Sequence, residues 1–419
     1  MFGKAFGRRG LLTSAGVALV ATAGVESHGA KAQGTTAQGG TASQGVTDTE
    51  IRIGNTASYS GPASAYGIIA KTEAAFFRMI NDQGGVGGRK INYISLDDGY
   101  SPPRTVDQTR RLVEQDQVAF MFATIGTPSN TAIYRYTNGK GVPLLFLGSG
   151  ANKWGDYKAT PWVMGWQPSY RTEAQIYTTY VKQNKPGAKI GILYQNDDFG
   201  KDYPLGVKDV MAGDHDKMVK TVSYEVTDAT IDSQVLDLKN WGADVLITAA
   251  TPKFAAQTIR RVAETGWKPL HFMTNVSISV GSVITPAGQE NALGLISAAY
   301  LKDPTDLAWK DDAGMGQWRA FMAKYMPDAD LTDAGPVFGY GVTYSLWQVL
   351  KQCGTDFSRA NIMKQAANLK DQEVPVLLPG IRVNTSPTNF HPIRQMQLQR
   401  WEGKAWKLFG SVLEGAGDL

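Results

Sequence analysis

Two neighbouring stretches decide the fold: Thr124-Ile-Gly-Thr-Pro-Ser-Asn-Thr131 and Val142-Pro-Leu-Leu-Phe-Leu-Gly-Ser-Gly-Ala-Asn152. Each is an apolar run that opens into a loop of small residues. The first loop leaves the run 119–123 and enters a helix predicted over 129–138. Pro128, Ser129, Asn130 and Thr131 are all residues that favour helix starts. The free N–H groups and positive end of such a helix suit a carboxylate. The second loop carries no bulky side chain before Lys153, so its backbone can approach a ligand closely. Paired loops at the carboxyl ends of adjacent strands are where an open α/β sheet binds small molecules.

Outward from this point, strands and helices alternate. Strands are predicted over 51–57, 91–96, 119–123 and 143–147, with helices over 66–81, 105–116 and 129–138. The helix 66–81 places Ile69, Phe76, Phe77 and Ile80 on one face. The series then restarts. Strands over 189–194, 219–226, 244–248, 270–274 and 294–300 alternate with helices over 172–184, 202–211, 231–241 and 254–265. Two successive βαβα series predict an α/β fold of two Rossmann-like parallel-sheet lobes. The tail adds helices over 318–325, 337–351 and 359–369, then a hairpin of 394–401 and 406–413 turned at Glu402-Gly-Lys404. A tail that returns to both lobes implies a hinge of several crossings. Residues 48–166 with 301–375 are expected to form lobe 1, and residues 167–300 with 376–419 lobe 2.

The 419-residue chain is 42% hydrophobic and 19% charged, ordinary values for a globular protein. Its net charge of +4 comes mostly from residues 1–32, which hold four basic residues against Glu26. The remainder carries 38 basic and 37 acidic residues and offers no electrostatic case for nucleic acid. Residues 1–32 read as an export signal, with Lys4, Arg8 and Arg9 ahead of an apolar stretch and Ala30-Lys31-Ala32 as the cleavage site. The apolar stretch has about 15 residues, short of the ~20 that span a bilayer. Cleavage after Ala32 would leave a Gly/Thr/Ser/Gln-rich leader over 33–47. Cys353 is the single cysteine and cannot form an internal disulfide; the scattered histidines offer no zinc spacing.

The chain resembles the periplasmic solute-binding proteins of ABC importers, in the branch of the branched-chain amino-acid binders. Ser60-Gly-Pro-Ala-Ser-Ala-Tyr-Gly67 looks like that family's first ligand loop. Ile80-Asn-Asp-Gln-Gly-Gly-Val-Gly-Gly-Arg89 is similar to its helix-to-strand turn, and Asp97-Asp98-Gly-Tyr-Ser-Pro102 to the loop after its second strand. The Ser129 loop, the Gly148–Asn152 loop and Asn196-Asp-Asp-Phe-Gly-Lys201 complete the set. The resemblance implies two lobes that close on a small ligand, a periplasmic location, a membrane permease as partner, no cofactor and a monomer. Carried over by position, it makes Tyr66 and Phe199 aromatic walls. Ser129 would bond a ligand carboxylate through its hydroxyl, and the backbone of Gly150, Ala151 and Asn152 would hold the other side. Tyr100, Trp166, Gln167 and Thr251 are further expected ligand neighbours. Trp166 reads equally well as a cleft residue and as hinge packing.

One departure concerns ligand class. Amino-acid binders that this chain resembles place an acid after the strand equivalent to 270–274, to hold the ligand's ammonium. Here the loop reads Asn275-Val-Ser-Ile-Ser279, with Val276 nearest the expected position. A buried ammonium without a counter-charge is costly. The expected ligand is therefore a carboxylate without an amine, and the aromatic residues favour an aromatic or phenylpropanoid acid. The alternatives are an amino-acid binder whose amine site lies at Asp197 or Asp198, a periplasmic sensor, and a hydrolase. The last is disfavoured because no G-x-S-x-G surrounds Ser129. The Gly84–Gly88 cluster follows a helix and precedes a strand, the reverse of a phosphate loop.

Overall fold

A computed structural model describes residues 43–415; the predicted signal and most of the leader lie outside these residues. Two sheets organise the chain. The first has the order β2-β1-β3-β4-β5 and the second the order β12-β11-β10-β9-β8-β6-β7. β1 (Glu50–Ala57), β2 (Lys90–Asp97), β3 (Phe120–Phe122), β4 (Leu144–Leu147) and β5 (Val163–Gly165) are all parallel. In the second sheet β6 (Ile190–Gln195), β7 (Val219–Tyr224), β8 (Val245–Ala249), β9 (Leu270–Met273) and β10 (Ile296–Ala299) run parallel. β11 (Gln395–Trp401) and β12 (Trp406–Glu414) add an antiparallel edge, the predicted hairpin. The parallel strands are short apolar runs, as expected where helices cover both faces of a sheet; β3, β4 and β8 are buried throughout.

The helices of the first series are α1 (Gly67–Asp82), α2 (Pro102–Arg110) and α3 (Thr127–Gly139). Those of the second are α4 (Tyr170–Asn184), α5 (Asp198–Met211), the short α6 (His215–Met218), α7 (Asp232–Asn240), α8 (Pro252–Glu264) and α9 (Thr285–Ala287). α10 (Ala313–Tyr325), α11 (Gly335–Gln352) and α12 (Arg359–Ala366) follow β10. α10 and α11 pack back on α1, and α12 packs on α11: the Phe76 ring lies 5.9 Å from Phe321 and 5.1 Å from Tyr340. The chain thus crosses between the sheets after β5, after β10 and before β11, which makes the predicted hinge. Cys353 is buried just beyond α11, and burial pushes its thiol up to about 12.

Three differences from the predicted elements matter for the site. α3 begins at Thr127, two residues earlier than expected, because Pro128 is favoured inside a first helical turn rather than ahead of it. α2 starts at Pro102 and ends in a π turn, Arg111–Gln115. β5 has no predicted counterpart; it is a three-residue strand held by pairing with β4, and its own sequence carries no strand period.

Candidate functional site

Parallel strands send all their carboxyl ends to one edge of each sheet, and the two edges bring their loops to a shared cleft. A cavity of about 120 Å³ lies there. Residues that follow β1, β2, β3 and β4 form one wall, and residues that follow β6, β8 and β9 face them. The crossing after β10 and the start of α11 close the hinge side.

Local chemistry fixes the first wall. Asp98 is fully buried and accepts hydrogen bonds from Tyr100 N at 2.8 Å, Thr105 Oγ1 at 2.9 Å and Ser58 Oγ at 3.2 Å. This Asx-type turn holds Tyr100 at φ 58°, a left-handed conformation that non-glycine residues rarely adopt. The ring is thereby placed in the cleft against Gly126, where an added Cβ would lie 2.5 Å from Tyr100 Cε2. Gly126 itself has φ 96° and precedes the first residue of α3. Thr127 therefore faces the cavity at the positive end of the helix. Gln167 lines the same wall. It is 4% exposed, and its Nε2 has no hydrogen-bond partner among the described residues.

The second wall is held by acids, one buried and the others half-buried. Asp197 caps α5, its Oδ1 accepting from Phe199 N at 2.9 Å and Gly200 N at 3.2 Å while Oδ2 accepts from Gln195 Nε2 at 2.6 Å. This cap aims Phe199 at the cleft, where its ring meets Tyr170 at 4.7 Å and 62°. Glu173 of α4 anchors the loop after β9. It accepts from Asn275 N and Tyr203 Oη, each at 2.7 Å, and from Tyr177 Oη. Burial pushes Glu173 up to about 7, Asp202 up to about 7 and Asp197 up to about 6, against the hydrogen bonds that pull each down.

The two walls touch directly. Tyr66 Oη donates to Val276 O at 3.1 Å. Asp202 Oδ2 accepts from Asn152 N at 2.7 Å, and Asp198 Oδ2 accepts from Lys153 Nζ at 2.6 Å and Thr131 Oγ1 at 3.3 Å. Asp197 and Asp198 are thus committed to the helix cap and to this contact, and neither lines the cavity, so the alternative amine site at Asp197 or Asp198 has no geometric support.

Of the residues expected at the ligand, Tyr66, Tyr100, Gln167, Phe199, Thr251, Asn275 and Val276 line the cavity. Ser129 does not. It is the third residue of α3 and fully buried; its hydroxyl accepts from Thr105 Oγ1 at 2.9 Å and sits beside Asp98. The expected hydroxyl contact with a carboxylate is corrected accordingly, with Thr127 in the facing position. Gly150, Ala151 and Asn152 stand behind the wall. Gly150 packs on Pro168 and Tyr170, Ala151 N donates to Ser149 Oγ, and Asn152 N reaches Asp202. Trp166 packs the hinge: it is fully buried, donates from Nε1 to Ser345 Oγ at 3.0 Å and meets Phe338 edge-on at 5.3 Å. The sequence reading missed Thr127, Tyr170, Tyr300, Phe338 and Asp303, all at the cavity. Pro128 was a usable signal for Thr127; Tyr170 and Phe338 sit in the first turns of α4 and α11, and Tyr300 and Asp303 on the crossing after β10, none within a motif.

Residues 50–405 match the family model for periplasmic binding proteins. The chain belongs to the periplasmic binding protein family. That family and this fold are those of solute-binding proteins, not of enzymes. This periplasmic binding protein is similar to Leu/Ile/Val-binding protein homolog 7 of Brucella suis, 26% identical over 268 residues. The match spans 62% of this chain and 66% of that relative's length. Its fold is shared with a branched-chain amino-acid ABC transporter protein of Thermus thermophilus solved with bound valine (TM-score 0.77, 13% identity, 88% of this chain and 98% of that one). It is also shared with a fatty acid ABC transporter substrate-binding protein of Thermomonospora curvata (TM-score 0.75, 20% identity, 89% and 95%). Among the described residues no group of His, Cys, Asp and Glu could hold a metal ion, and no helix is long and apolar enough to cross a membrane.

Proposed function

We propose that this periplasmic binding protein is the solute-binding component of an ABC transporter and captures a small aromatic carboxylate between its lobes for delivery to a membrane permease. One observation carries the reading: Tyr66, Tyr100, Tyr170, Phe199, Tyr300 and Phe338 all line a cavity of about 120 Å³. That volume is on the scale of the ~150 Å³ protein cavity that binds benzene. It suits one ring better than a long acyl chain. Aromatic rings prefer the offset and edge-on contacts that such a lining offers.

The carboxylate is assigned to the Thr127 end of α3 and to Gln167, whose unpartnered Nε2 is a ready donor. The valine and fatty-acid binders named above also handle ligands with a carboxylate, which supports the anion end and leaves the body of the ligand open. The loop after β9 supports the absence of an amine at that wall: Asn275 is occupied by Glu173, and Val276 is apolar. Closure brings Tyr66 onto Val276 and seals the site, which gives a permease a shape that reports occupancy.

The test is a thermal-shift and calorimetry panel of residues 33–419 against benzoate, phenylacetate and 3-phenylpropionate, with leucine and valine as the second arm. A ligand at 100 times its Kd adds about 2.7 kcal/mol to stability. Aromatic acids are expected to raise the melting point, and Gln167→Ala to weaken them tenfold or more. Binding of leucine or valine alone overturns the aromatic assignment.

A further inference from the structure

Asp303 lies in the crossing that follows β10 and is 8% exposed. Its Oδ1 accepts from Thr305 N at 2.8 Å and from the Thr305 hydroxyl. Its Oδ2 is buried with no hydrogen-bond partner among the described residues, and the residue lines the same cavity as the aromatic side chains. Among the described residues no cation pairs with it. Lys302 is drawn to Asp312 Oδ1 at 2.7 Å and to Pro375 O at 2.9 Å, while Lys407 is paired with Asp306. A carboxylate oxygen taken from water and left without a donor is unfavourable, and so rare among buried polar atoms that each case asks for an explanation. Gln399 of β11, 2% exposed, brings a second unpartnered group, its Nε2, to this cavity.

From these atoms we infer that Asp303 is a specificity residue of the cleft, whose free oxygen receives an O–H or N–H donor carried by the ligand in addition to its carboxylate. The inference rests on the cleft being the ligand site. The cavity then has complementary unsatisfied groups on two walls. Gln167 supplies a donor on the crossing after β5, where its Nε2 lies against the Gly150 position beside Tyr170. Asp303 supplies an acceptor on the hinge crossing. A ligand with an acceptor at one end and a donor at the other satisfies both, whereas a plain aromatic acid leaves Asp303 unpaired. Pockets built to hydrogen-bond a ligand hydroxyl or amine reject analogues that lack it far more strongly than apolar pockets reject a missing methylene.

Matched pairs of probes test this by calorimetry on residues 33–419. Benzoate is compared with 4-hydroxybenzoate, and 3-phenylpropionate with 3-(4-hydroxyphenyl)propionate and with L-phenylalanine. The hydroxylated arms report a hydroxyl donor and phenylalanine an ammonium. At least one donor-bearing probe is expected to bind tenfold or more tighter than its parent, and Asp303→Ala to erase that preference. Asp303→Asn, which keeps an acceptor for Thr305, serves if the alanine variant does not fold. Parent acids that bind with no preference for donor-bearing partners overturn the role of Asp303 and leave aromatic-acid capture standing. A preference that survives in both variants overturns it too. If neither parents nor donor-bearing probes bind, aromatic-acid capture itself falls and the inference with it.

Discussion

Glu173 shows how a single buried acid can hold a binding loop. Burial outweighs its hydrogen bonds from Tyr177, Tyr203 and Asn275 and pushes the group up to about 7. The folded state therefore keeps a proton that the unfolded chain, with an ordinary carboxyl near 4.5, has released. Its contribution to stability is full below about 4.5 and is lost as pH rises through about 7. His271 works in the opposite sense: burial lowers it to about 3, so its contribution is full above 6.5 and is lost only as pH falls toward 3. The variant Glu173→Gln isolates the first effect, since a neutral side chain has no ionised form to desolvate. The melting point of Glu173→Gln relative to the parent is expected to climb between pH 5 and pH 8. A constant offset across that range would show that Glu173 titrates as an ordinary carboxyl.

At the scale of the element, α5 and α3 place the ligand-facing residues through their first turns. Asp197 satisfies two N–H groups of α5 that have no helical acceptor and so orients Phe199. Gly200 follows because the strand end comes too close for a side chain: an added Cβ would lie 2.0 Å from Gln195 O. Asp197→Ala is expected to lower the unfolding free energy by about 1 kcal/mol, read as a shifted urea midpoint with an unchanged slope. Ligand affinity should fall with it, because Phe199 loses its fixed aim. In α3 the same logic is a matter of start position. A helix advances about 100° per residue, so a start two residues early turns Ser129 toward Asp98 and gives the cleft to Thr127.

At the scale of the whole molecule, the proposed capture of a ligand by closure makes the contacts between the two walls the ones that set the balance between open and closed forms. Asp198 gathers Lys153 and Thr131 from the first lobe, and these partners hold its carboxyl below the usual range. Asp198 and Lys153 are both partly exposed, so the pair is worth at most about 1 kcal/mol. Asp198→Ala is expected to weaken ligand binding two- to fivefold, to enlarge the ligand-free radius of gyration in small-angle scattering and to leave the melting point of the ligand-free protein nearly unchanged. An unaltered scattering profile would remove Asp198 from the closure contacts.

What the sequence determined by itself was local. Alternating apolar runs and amphipathic stretches set the two sheets, and turn chemistry at Asp98, Gly126 and Asp197 set which loops reach the cleft. Tyr100, Gln167, Thr251, Asn275 and Val276 were legible because each stands within a few residues of a strand end, and Tyr66 and Phe199 because they stand in loops that resemble a known family's. The tertiary structure alone decided the rest. Trp166 packs behind the cleft because Ser345 and Phe338, far along the chain, take its indole. Tyr170 at the start of α4, Tyr300 on the crossing after β10 and Phe338 in the first turn of α11 reach the cavity along paths that depend on how the sheets pack. Asp303 has a free oxygen because Lys302 and Lys407 found other acids. Secondary structure follows from interactions within a few residues. The environment of a side chain in a cleft is set by partners brought in from across the chain, such as Val276 against Tyr66, and no local pattern encodes them.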